Sequence, residues 1–263
     1  MALLYLGILL ALPVGFSLGL LGGGGSILAV PVFVYVLGID PSLAIPASLL
    51  VVGLTSLVGS VPYWRQGNAD FSAALFFAIG SMVGSLAGAE LGIRAPDIVQ
   101  MILFGFVMLA ASFFMLRGRP SAEGNIQAKP FWVLILIGAL VGVLIGFVGV
   151  GGGFMYVPAL IFLVGLETKR AVGTSLLIIG LNAAVAFSRY LFDENIRRGF
   201  LTENLGELPL WLGMLTFTLL TFAGLFAGTK LAKRTDPARL RRWFAIFLMV
   251  MAVLVLVQEM SGL

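Results

Sequence analysis

The chain has 263 residues, of which 60% are hydrophobic and 11% are charged, and its mean hydropathy is +1.10. Soluble domains average about 45–50% apolar and about 25% charged residues, so this composition excludes an ordinary soluble protein and indicates a polytopic protein of the lipid bilayer. The absence of Cys and His excludes disulfides, thiolate or imidazole catalysis and the common zinc sites, and we expect no metal and no cofactor. The net charge of +4 comes from Lys and Arg between apolar segments, which is typical of membrane topology, so we expect no nucleic-acid partner.

Apolar segments follow one another along the chain, at roughly 2–21, 26–38, 43–64, 70–92, 97–117, 131–148, 154–165, 170–191, 208–231 and 239–258. Most reach the ~20 residues that a helix needs to cross ~30 Å of hydrocarbon. The segments 26–38 and 154–165 have only about a dozen residues, which as helices measure about 18 Å. Each of these two follows a glycine cluster. No positively charged region precedes the first segment, so we expect a retained helix there rather than a signal peptide.

The two glycine clusters belong to an internal repeat. A shift of 127 positions, which places Gly15 over Gly142, aligns residues 15–54 with 142–181 at about 14 identical positions of 40. The matched pairs include Gly22/Gly149, Gly24/Gly151, Gly25/Gly152, Pro31/Pro158, Gly38/Gly165 and Ser48/Ser175. The back halves align at a shift of 140, which places Gly84 over Gly224, because a longer loop near 192–207 intervenes.

The loop charges indicate how the two copies are oriented. Each copy holds five apolar segments, and an odd number inserts the second copy in the opposite orientation. The loops near 38–42 and 92–96 carry only Arg94, whereas their equivalents near 165–170 and 230–242 together carry eight Lys and Arg residues. Cytoplasmic loops collect Lys and Arg, so the equivalent loops are expected on opposite faces of the membrane.

These observations predict an all-α polytopic membrane protein built from two inverted five-helix repeats, with short broken or re-entrant helices after the glycine clusters. The first repeat spans 1–117, a cytoplasmic linker spans 118–130, and the second repeat spans 131–263. A parallel repeat of four plus four helices, with the glycine segments outside the count, is the alternative.

The segments around the glycine clusters resemble a known family. "GLLGGGGSILAVPVFVYVLGIDPSLAIPASL" and "GFVGVGGGFMYVPALIFLVGLETKRAVGTSL" are similar to the duplicated signature of the sulfite exporter TauE/SafE family, also called the toluene sulfonate uptake permeases. In that family a glycine cluster, a proline about six residues later and an Ala-Val-Gly-Thr-Ser-type segment recur in both halves. The second half carries the last element at 171–175, whereas the first half has Pro46 and Ala47 in place of Gly and Thr, which suggests an asymmetric site. The resemblance covers nearly the whole chain and implies transport of small sulfur-containing anions such as sulfite, thiosulfate or sulfonates.

Physical chemistry leads independently to an anion site at the glycine clusters. A short helix that begins after glycines presents unpaired N–H groups and the positive end of its dipole, and glycine lets an oxyanion approach the backbone. No Lys or Arg lies deep in an apolar segment, so we expect the anion to be held near the membrane midplane mainly by main-chain N–H groups. The candidate residues are Gly22, Gly23, Gly24, Gly25, Ser26, Gly149, Gly151, Gly152 and Gly153.

Hydroxyl and amide side chains complete the predicted site. Ser48, Thr174 and Ser175 lie one to two turns inside the helix that follows each short segment, and Thr55 and Asn182 lie at equivalent positions near the middle of those helices. An unpaired polar group there is expensive, which favours a functional contact. The alternative is that the hydroxyls donate to carbonyls of their own helix or of a neighbouring one.

Other residues are candidates for conformational change, coupling or packing. Pro31 and Pro158 lie inside the short helices, as conformational elements or as passive kinks. Glu90 is a candidate for proton coupling, and the alternative is that it extends to the interface near its helix end. The small-residue pairs Gly15/Gly19, Gly84/Gly88, Gly142/Gly146 and Gly224/Gly228 indicate close helix packing.

The pattern as a whole predicts a secondary transporter of the bacterial cytoplasmic (inner) membrane that spans it several times, with alternating access between the repeats and homo-oligomers as a further candidate assembly. The functional alternatives are an anion channel, which also uses half-helices, and a transporter of non-sulfur anions such as carboxylates. A scaffold subunit without flux is a third. We expect no enzyme, because the chain has neither Cys nor His, and no nucleotide-binding motif.

Overall fold

The computed structural model describes residues 7, 9–92, 94–117, 129–148, 153–192, 194–205 and 208–261. In this part of the chain the first half forms α1 (Ala11–Leu21), α2 (Gly24–Pro31), α3 (Pro41–Trp64), α4 (Phe71–Gly92) and α5 (Asp97–Arg117). The second half forms α6 (Phe131–Val148), α7 (Gly153–Ala159), α8 (Thr168–Leu191), α9 (Glu194–Thr202), α10 (Leu210–Arg234) and α11 (Pro237–Ser261). The short strands β1 (Asn204–Leu205) and β2 (Leu208–Pro209) pair antiparallel before α10.

Within the described residues, six helices are long and apolar enough to cross a membrane: α3, α4, α5, α8, α10 and α11. Shorter apolar helices form α1, α6 and α7. The prediction of a helical polytopic membrane protein is therefore confirmed.

The two short segments are short helices, as predicted. Each continues for one π-helical turn, Val32–Val36 after α2 and Leu160–Val164 after α7. A proline stands shortly before each π turn, and because proline has no N–H it removes one i→i−4 hydrogen bond and favours a local change of helix geometry. Each segment then ends at a glycine in the left-handed region, Gly38 with φ 68° and Gly165 with φ 98°.

The helices pair across the two halves. The first helix of each half lies along the fourth apolar helix of the other, so that α1 packs on α10 and α6 packs on α4. The remaining helices pair with their own equivalents, α2 with α7, α3 with α8 and α5 with α11. Exchanging the two halves leaves this pattern unchanged, which agrees with an internal repeat, while the inverted orientation of the copies stays a prediction.

The small-residue pairs lie where helices touch backbone to backbone. A Cβ atom on Gly84 would lie 2.0 Å from the Ala139 carbonyl oxygen, and one on Gly224 would lie 2.1 Å from the Leu12 carbonyl oxygen. Glycine lets two membrane helices approach closely where no side chain fits. The prediction of close packing at these positions is therefore confirmed.

Aromatic contacts hold the short helices within the core. Phe33, in the π-helical turn after α2, lies edge-on to Phe217 of α10 with 4.7 Å between ring centroids. Phe154 of α7 lies edge-on to Phe104 of α5 at 5.4 Å. Edge-to-face pairs of this kind are worth about 0.5–1.5 kcal/mol beyond their buried area.

The segment near 192–207, predicted as a loop, contains a helix and a strand. Residues Glu194–Thr202 form α9, in which Arg198 pairs with Glu194 at 2.5 Å across one turn. Such i,i+4 pairs support short surface helices. The sequence interpretation missed α9 because its apolar residues are too few to stand out among the charges.

Candidate functional site

The glycine clusters of the two halves meet at the contact between α2 and α7. A Cβ atom on Gly23 would lie 2.2 Å from the Gly153 carbonyl oxygen, and one on Gly153 would lie 2.6 Å from the Ser26 hydroxyl oxygen. We call Gly22, Gly23, Ser26 and Gly153 the glycine crossing. Its two sides touch through main-chain atoms and one hydroxyl, so a larger residue at Gly23 would separate the halves.

The local backbone at the start of α2 is built by glycines, and the Ser26 N–H donates to the Gly23 carbonyl at 3.3 Å. Gly22 adopts φ 73° and its N–H donates to the Leu18 carbonyl, which closes α1. The N-cap position of α2 is Gly23, with no side-chain cap. The first N–H groups of a helix have no carbonyl partner in their own helix, and the helix dipole makes this end positive. This is the end that contacts Gly153.

Ser175 of α8 joins the crossing from the second half. Its hydroxyl donates to the Gly22 carbonyl at 2.8 Å and also to Val172 in its own helix at 2.8 Å. The hydroxyl of Ser26 donates to the Gly23 carbonyl at 2.7 Å. Two of the predicted hydroxyl residues therefore lie at the crossing.

The other predicted glycines differ in their surroundings. Gly25 faces α1, since a Cβ atom there would lie 2.3 Å from the Val14 carbonyl oxygen. Gly24 begins α2. The predicted residues Gly149, Gly151 and Gly152 lie outside the described residues.

Three predicted hydroxyl residues bond elsewhere. The hydroxyl of Ser48 donates to the Ile45 carbonyl at 2.7 Å, and that of Thr55 donates to the Val51 carbonyl at 2.6 Å. Both bonds stay within α3, which agrees with the alternative that these hydroxyls donate to carbonyls of their own helix. Thr174 points away from the crossing, because its hydroxyl oxygen accepts from the Asp70 N–H at 3.0 Å in the loop between α3 and α4.

Asn182 belongs to a polar cluster that joins three helices. Its Nδ2 donates to the Ser81 hydroxyl oxygen of α4 at 2.7 Å and to the Tyr156 hydroxyl oxygen of α7 at 2.6 Å. Its Oδ1 is buried and has no partner among the described residues. We call Ser81, Tyr156 and Asn182 the amide cluster. Sequence reasoning found Asn182 but missed the other two, although their hydroxyls in apolar helices were a readable signal.

A second polar contact between the halves surrounds Asp70. Its carboxylate accepts from the Ala73 N–H at 2.9 Å and from Arg170 at 2.8 Å. Asp70 therefore caps the start of α4 and pairs with the first turns of α8. The sequence indicates Arg170 only as part of the positive charge that marks a loop. No sequence pattern predicts an ion pair between two residues so far apart in the chain.

The remaining candidates lie away from the crossing. Pro31 is exposed and Pro158 is buried, so the two equivalent prolines have different surroundings. Glu90 pairs with Arg94 one turn away at 2.7 Å, and 63% of the Glu90 side chain is exposed. This placement agrees with the interfacial alternative for Glu90.

Comparison with known proteins gives consistent matches along the chain. The model of the family described as "Sulfite exporter TauE/SafE" matches residues 7–255. A "Probable membrane transporter protein" of Xylella fastidiosa strain 9a5c is 31% identical over 257 residues, covering 95% of this chain and 94% of the relative. The protein named "Probable membrane transporter protein YjnA" of Bacillus subtilis is 28% identical, covering 92% of this chain and 96% of the relative. No solved structure matches.

Proposed function

The chain belongs to the sulfite exporter TauE/SafE family, and on that premise we propose that it is a secondary transporter of small sulfur-containing anions such as sulfite, thiosulfate or organosulfonates. The family and the six apolar helices among the described residues make the chain a multi-pass membrane transporter. A bacterial inner membrane is consistent with both. A transporter is not an enzyme class, and we infer no catalytic step.

The contact between Gly23 and Gly153 carries the proposal. It brings the N-terminal ends of two short helices together, one from each half, at positions where no side chain fits. Helix N-termini and glycine backbones are common binding sites for oxyanions. Transporters built from repeats place their substrate sites where broken helices of the two repeats meet.

Among the described residues, the side chains that lie nearest to the glycine crossing are neutral. Ser175, Val172 and Ile179 of α8 approach it, and the crossing itself adds only Ser26. In a low-dielectric interior, main-chain dipoles bind an anion without the permanent charge of Lys or Arg. A site of this kind releases its anion more readily than a charged one, which suits a transporter.

We propose alternating access between the two halves, which touch at the glycine crossing. The anion is proposed to bind between α2 and α7, and rocking of one half against the other would expose it to either face. A channel would instead keep the crossing open to both faces at once. The two functions differ in one measurable property, since only the transporter shows saturable counterflow against a gradient.

The test uses purified protein in liposomes loaded with unlabelled sulfite or thiosulfate. We expect saturable counterflow of the labelled anion, and competition by sulfite, thiosulfate and sulfonates but not by acetate. Flux inhibited by carboxylates alone would overturn the sulfur-anion assignment. Unsaturable conductance would favour the channel, and no flux with any anion would favour a scaffold role.

The variants Gly24→Val and Gly151→Val test the site itself. We expect both to abolish counterflow while insertion into the membrane stays normal, because a side chain blocks the approach to the backbone N–H groups. A matched control is Gly67→Asn, since Gly67 adopts φ 71° in open space and Asn tolerates that conformation. Normal flux in both valine variants would contradict the proposed site.

A further inference from the structure

We propose that the outward face of α11, together with the turn before it, binds an anionic phospholipid. Arg239 and Arg242 hold the lipid phosphate, and an acyl chain lies along the apolar residues that follow them. This inference goes beyond the proposed transport function and does not depend on which anion is carried. The charged part of the surface is the turn that joins α10 to α11, which we call the basic turn. Its cations are Lys230, Lys233, Arg234, Arg239, Arg241 and Arg242.

The charge of the basic turn is not balanced within the protein. Residues 230–242 contain six cations and one carboxylate, that of Asp236. This carboxylate accepts from the Ala238 N–H at 2.8 Å and so caps the start of α11. The ion pairs in the described part of the chain involve none of the six cations. Closely spaced like charges repel one another, and the phosphates of anionic lipids relieve this repulsion.

The backbone of the basic turn is held in place while its charged side chains point outward. Five of the six cations are exposed and Arg241 is half-buried. Ala232 and Leu240, which lie between them in the chain, are buried. Lys169 of α8 donates to the Lys233 carbonyl at 3.1 Å, which fixes the end of α10 and adds another cation to the surface. The charged side chains are therefore available to a ligand outside the protein.

One face of α11 combines this positive charge with an apolar surface. Arg239, Arg242, Ile246 and Val250 are exposed and lie at intervals of three, four and four residues, which puts them on the same helix face. Trp243 is exposed beside Arg242, and Trp is enriched at the level of the lipid headgroups. The eleven residues from Arg239 to Val250 rise about 16 Å, close to half of the ~30 Å hydrocarbon thickness. This face therefore matches a phosphate with one acyl chain below it.

The chemistry of the two arginines favours a phosphate with a net negative charge. Arg239 and Arg242 are three residues apart, so their side chains leave the helix about 5–6 Å from each other. A guanidinium donates two parallel hydrogen bonds to phosphate oxygens, and two guanidinium groups together offer more donors than one ion can fill. The quaternary ammonium of phosphatidylcholine would be repelled by the cations of the basic turn. The surface therefore favours phosphatidylglycerol over phosphatidylcholine.

The first half has the same helix arrangement without these charges. Val99 and Ile102 of α5 stand where α11 has its two arginines, and both are exposed. The arginine of the equivalent turn, Arg94, already pairs with a glutamate one turn earlier at 2.7 Å. α5 and α11 nevertheless pack on each other as equivalent helices. The exposed arginines are therefore a property of the second half and not a requirement of this packing.

Membrane topology alone does not require this placement. Lys and Arg near a helix end set its orientation through their number in the loop, whichever helix face they occupy. Arg239 and Arg242 share the face of the exposed apolar side chains, where a lipid meets both. Replacing either arginine leaves five cations in the basic turn, so the orientation signal persists while the phosphate contact is lost.

The experiment titrates the purified full chain in neutral detergent with dioleoylphosphatidylglycerol or dioleoylphosphatidylcholine. Native mass spectrometry of the lipid-bound protein gives the Kd of each lipid. We expect the wild type to bind phosphatidylglycerol at least about tenfold more tightly, with a salt-dependent Kd. Arg239→Gln and Arg242→Gln should each raise the Kd of phosphatidylglycerol about fivefold and leave that of phosphatidylcholine unchanged. Arg94→Gln, an exposed arginine of the first half, is the matched control and should stay within about twofold of the wild type.

Three outcomes would overturn the inference. The first is equal affinity of the wild type for the two lipids, as expected if the charges only set topology. The second is an unchanged Kd of phosphatidylglycerol in both Arg239→Gln and Arg242→Gln. The third is displacement of phosphatidylglycerol by glycerol 3-phosphate or sulfite beyond the effect of sodium chloride at the same ionic strength, which would indicate a site for small soluble anions. The wild-type lipid comparison decides the question even if a variant does not fold, and the result is independent of whether the protein carries sulfur-containing anions.

Discussion

The starts of α4 and α10 occupy equivalent positions in the two halves, but they are held differently. The Asp70 carboxylate caps α4 and pairs with Arg170 of the other half, at 2.8 Å. The N-cap position of α10 is Pro209, with no side-chain cap, and the Leu210 N–H donates to the Glu203 carbonyl at 2.9 Å. A charged contact between halves on one side is thus replaced by a local main-chain contact on the other.

The helices that face these two starts differ in the same way. α8 presents Arg170 and Thr174 to the loop around Asp70, whereas α3 has Leu43 and Ala47 at the equivalent positions. Leu43 lies instead against α9, where a Cβ atom on Gly199 would be 2.8 Å from its side chain. Helix packing therefore repeats between the halves, whereas the contacts that hold the starts of α4 and α10 do not. The starts of α4 and α10 therefore differ in the contacts that hold them in place.

The largest expected effect concerns the close helix packing that both halves share. Gly84→Leu and Gly224→Leu should each destabilise the protein by about 3 kcal/mol or more, because the added side chain meets a backbone oxygen. Yield of monodisperse protein and the melting temperature in detergent measure this. Gly38→Asn is the control, since that glycine has φ 68° and open space around it. A large loss of stability in only one of the two leucine variants would show that the two helix pairs are not equivalent.

The variant Thr174→Val tests the hydrogen bond between α8 and the loop that joins α3 to α4. It leaves the Asp70 N–H without its acceptor, and we expect a loss of about 1–2 kcal/mol in the free energy of unfolding. The KM of anion counterflow should stay within about twofold of the wild type if the role of Thr174 is structural. Ala47 already stands at the equivalent position, so Ala47→Ser serves as the matched change and should have little effect. A KM increase without loss of stability would return Thr174 to the anion site.

The variant Arg170→Leu replaces the charged residue by leucine, which stands at the equivalent position of the first half. The side chains of Arg170 and Asp70 are 41% and 25% exposed, so solvent screens the pair and we expect a coupling of only about 0.5–1 kcal/mol. A double-mutant cycle with Asp70→Asn measures it, because Asn retains the helix cap. The exposed pair Glu194–Arg198 is the comparison and should give about 0.5 kcal/mol or less. Equal coupling energies in the two cycles would mean that the ion pair between the halves stabilises the protein no more than an exposed pair within one helix does.

The smallest effect concerns the N-caps of α3 and α8. The hydrogen bonds of Ser42 lower the pKa of Asp40, whereas the equivalent residue Glu167 makes no side-chain cap. The stability from Asp40 is therefore present above the ordinary pKa of Asp, about 3.9, and is lost as the pH falls through the lowered pKa. The melting-temperature difference between wild type and Asp40→Asn should shrink below about pH 4. A melting-temperature difference that stays constant between about pH 7 and about pH 3 would contradict this expectation.

The sequence predicted the features that depend on local patterns. Glycine clusters, helix lengths and the Gly84/Gly88 type of spacing are readable because each reflects steric or hydrophobic periodicity along one helix. The bonds of Asp70 with Arg170, and of Asn182 with Ser81, join residues about a hundred positions apart, and no periodicity encodes such pairs. The sequence predicts Thr174 at the anion site because its position along the helix can be inferred from the sequence. The direction in which its side chain points cannot be inferred in this way. The role of the predicted site residues in binding stays a prediction.

The pairing of α1 with α10 has a consequence for biosynthesis. α1 leaves the ribosome well before its partner α10, because the helices α2 to α9 lie between them in the chain. α1 and its glycines must therefore remain in the bilayer without their final neighbour through most of translation. α6 differs, because α4 is already in place when it is made. We expect a chain truncated before α10 to insert but to be degraded, and co-expression of the missing piece to rescue it. The pairing of α1 with α10 can be completed only after α10 has been made.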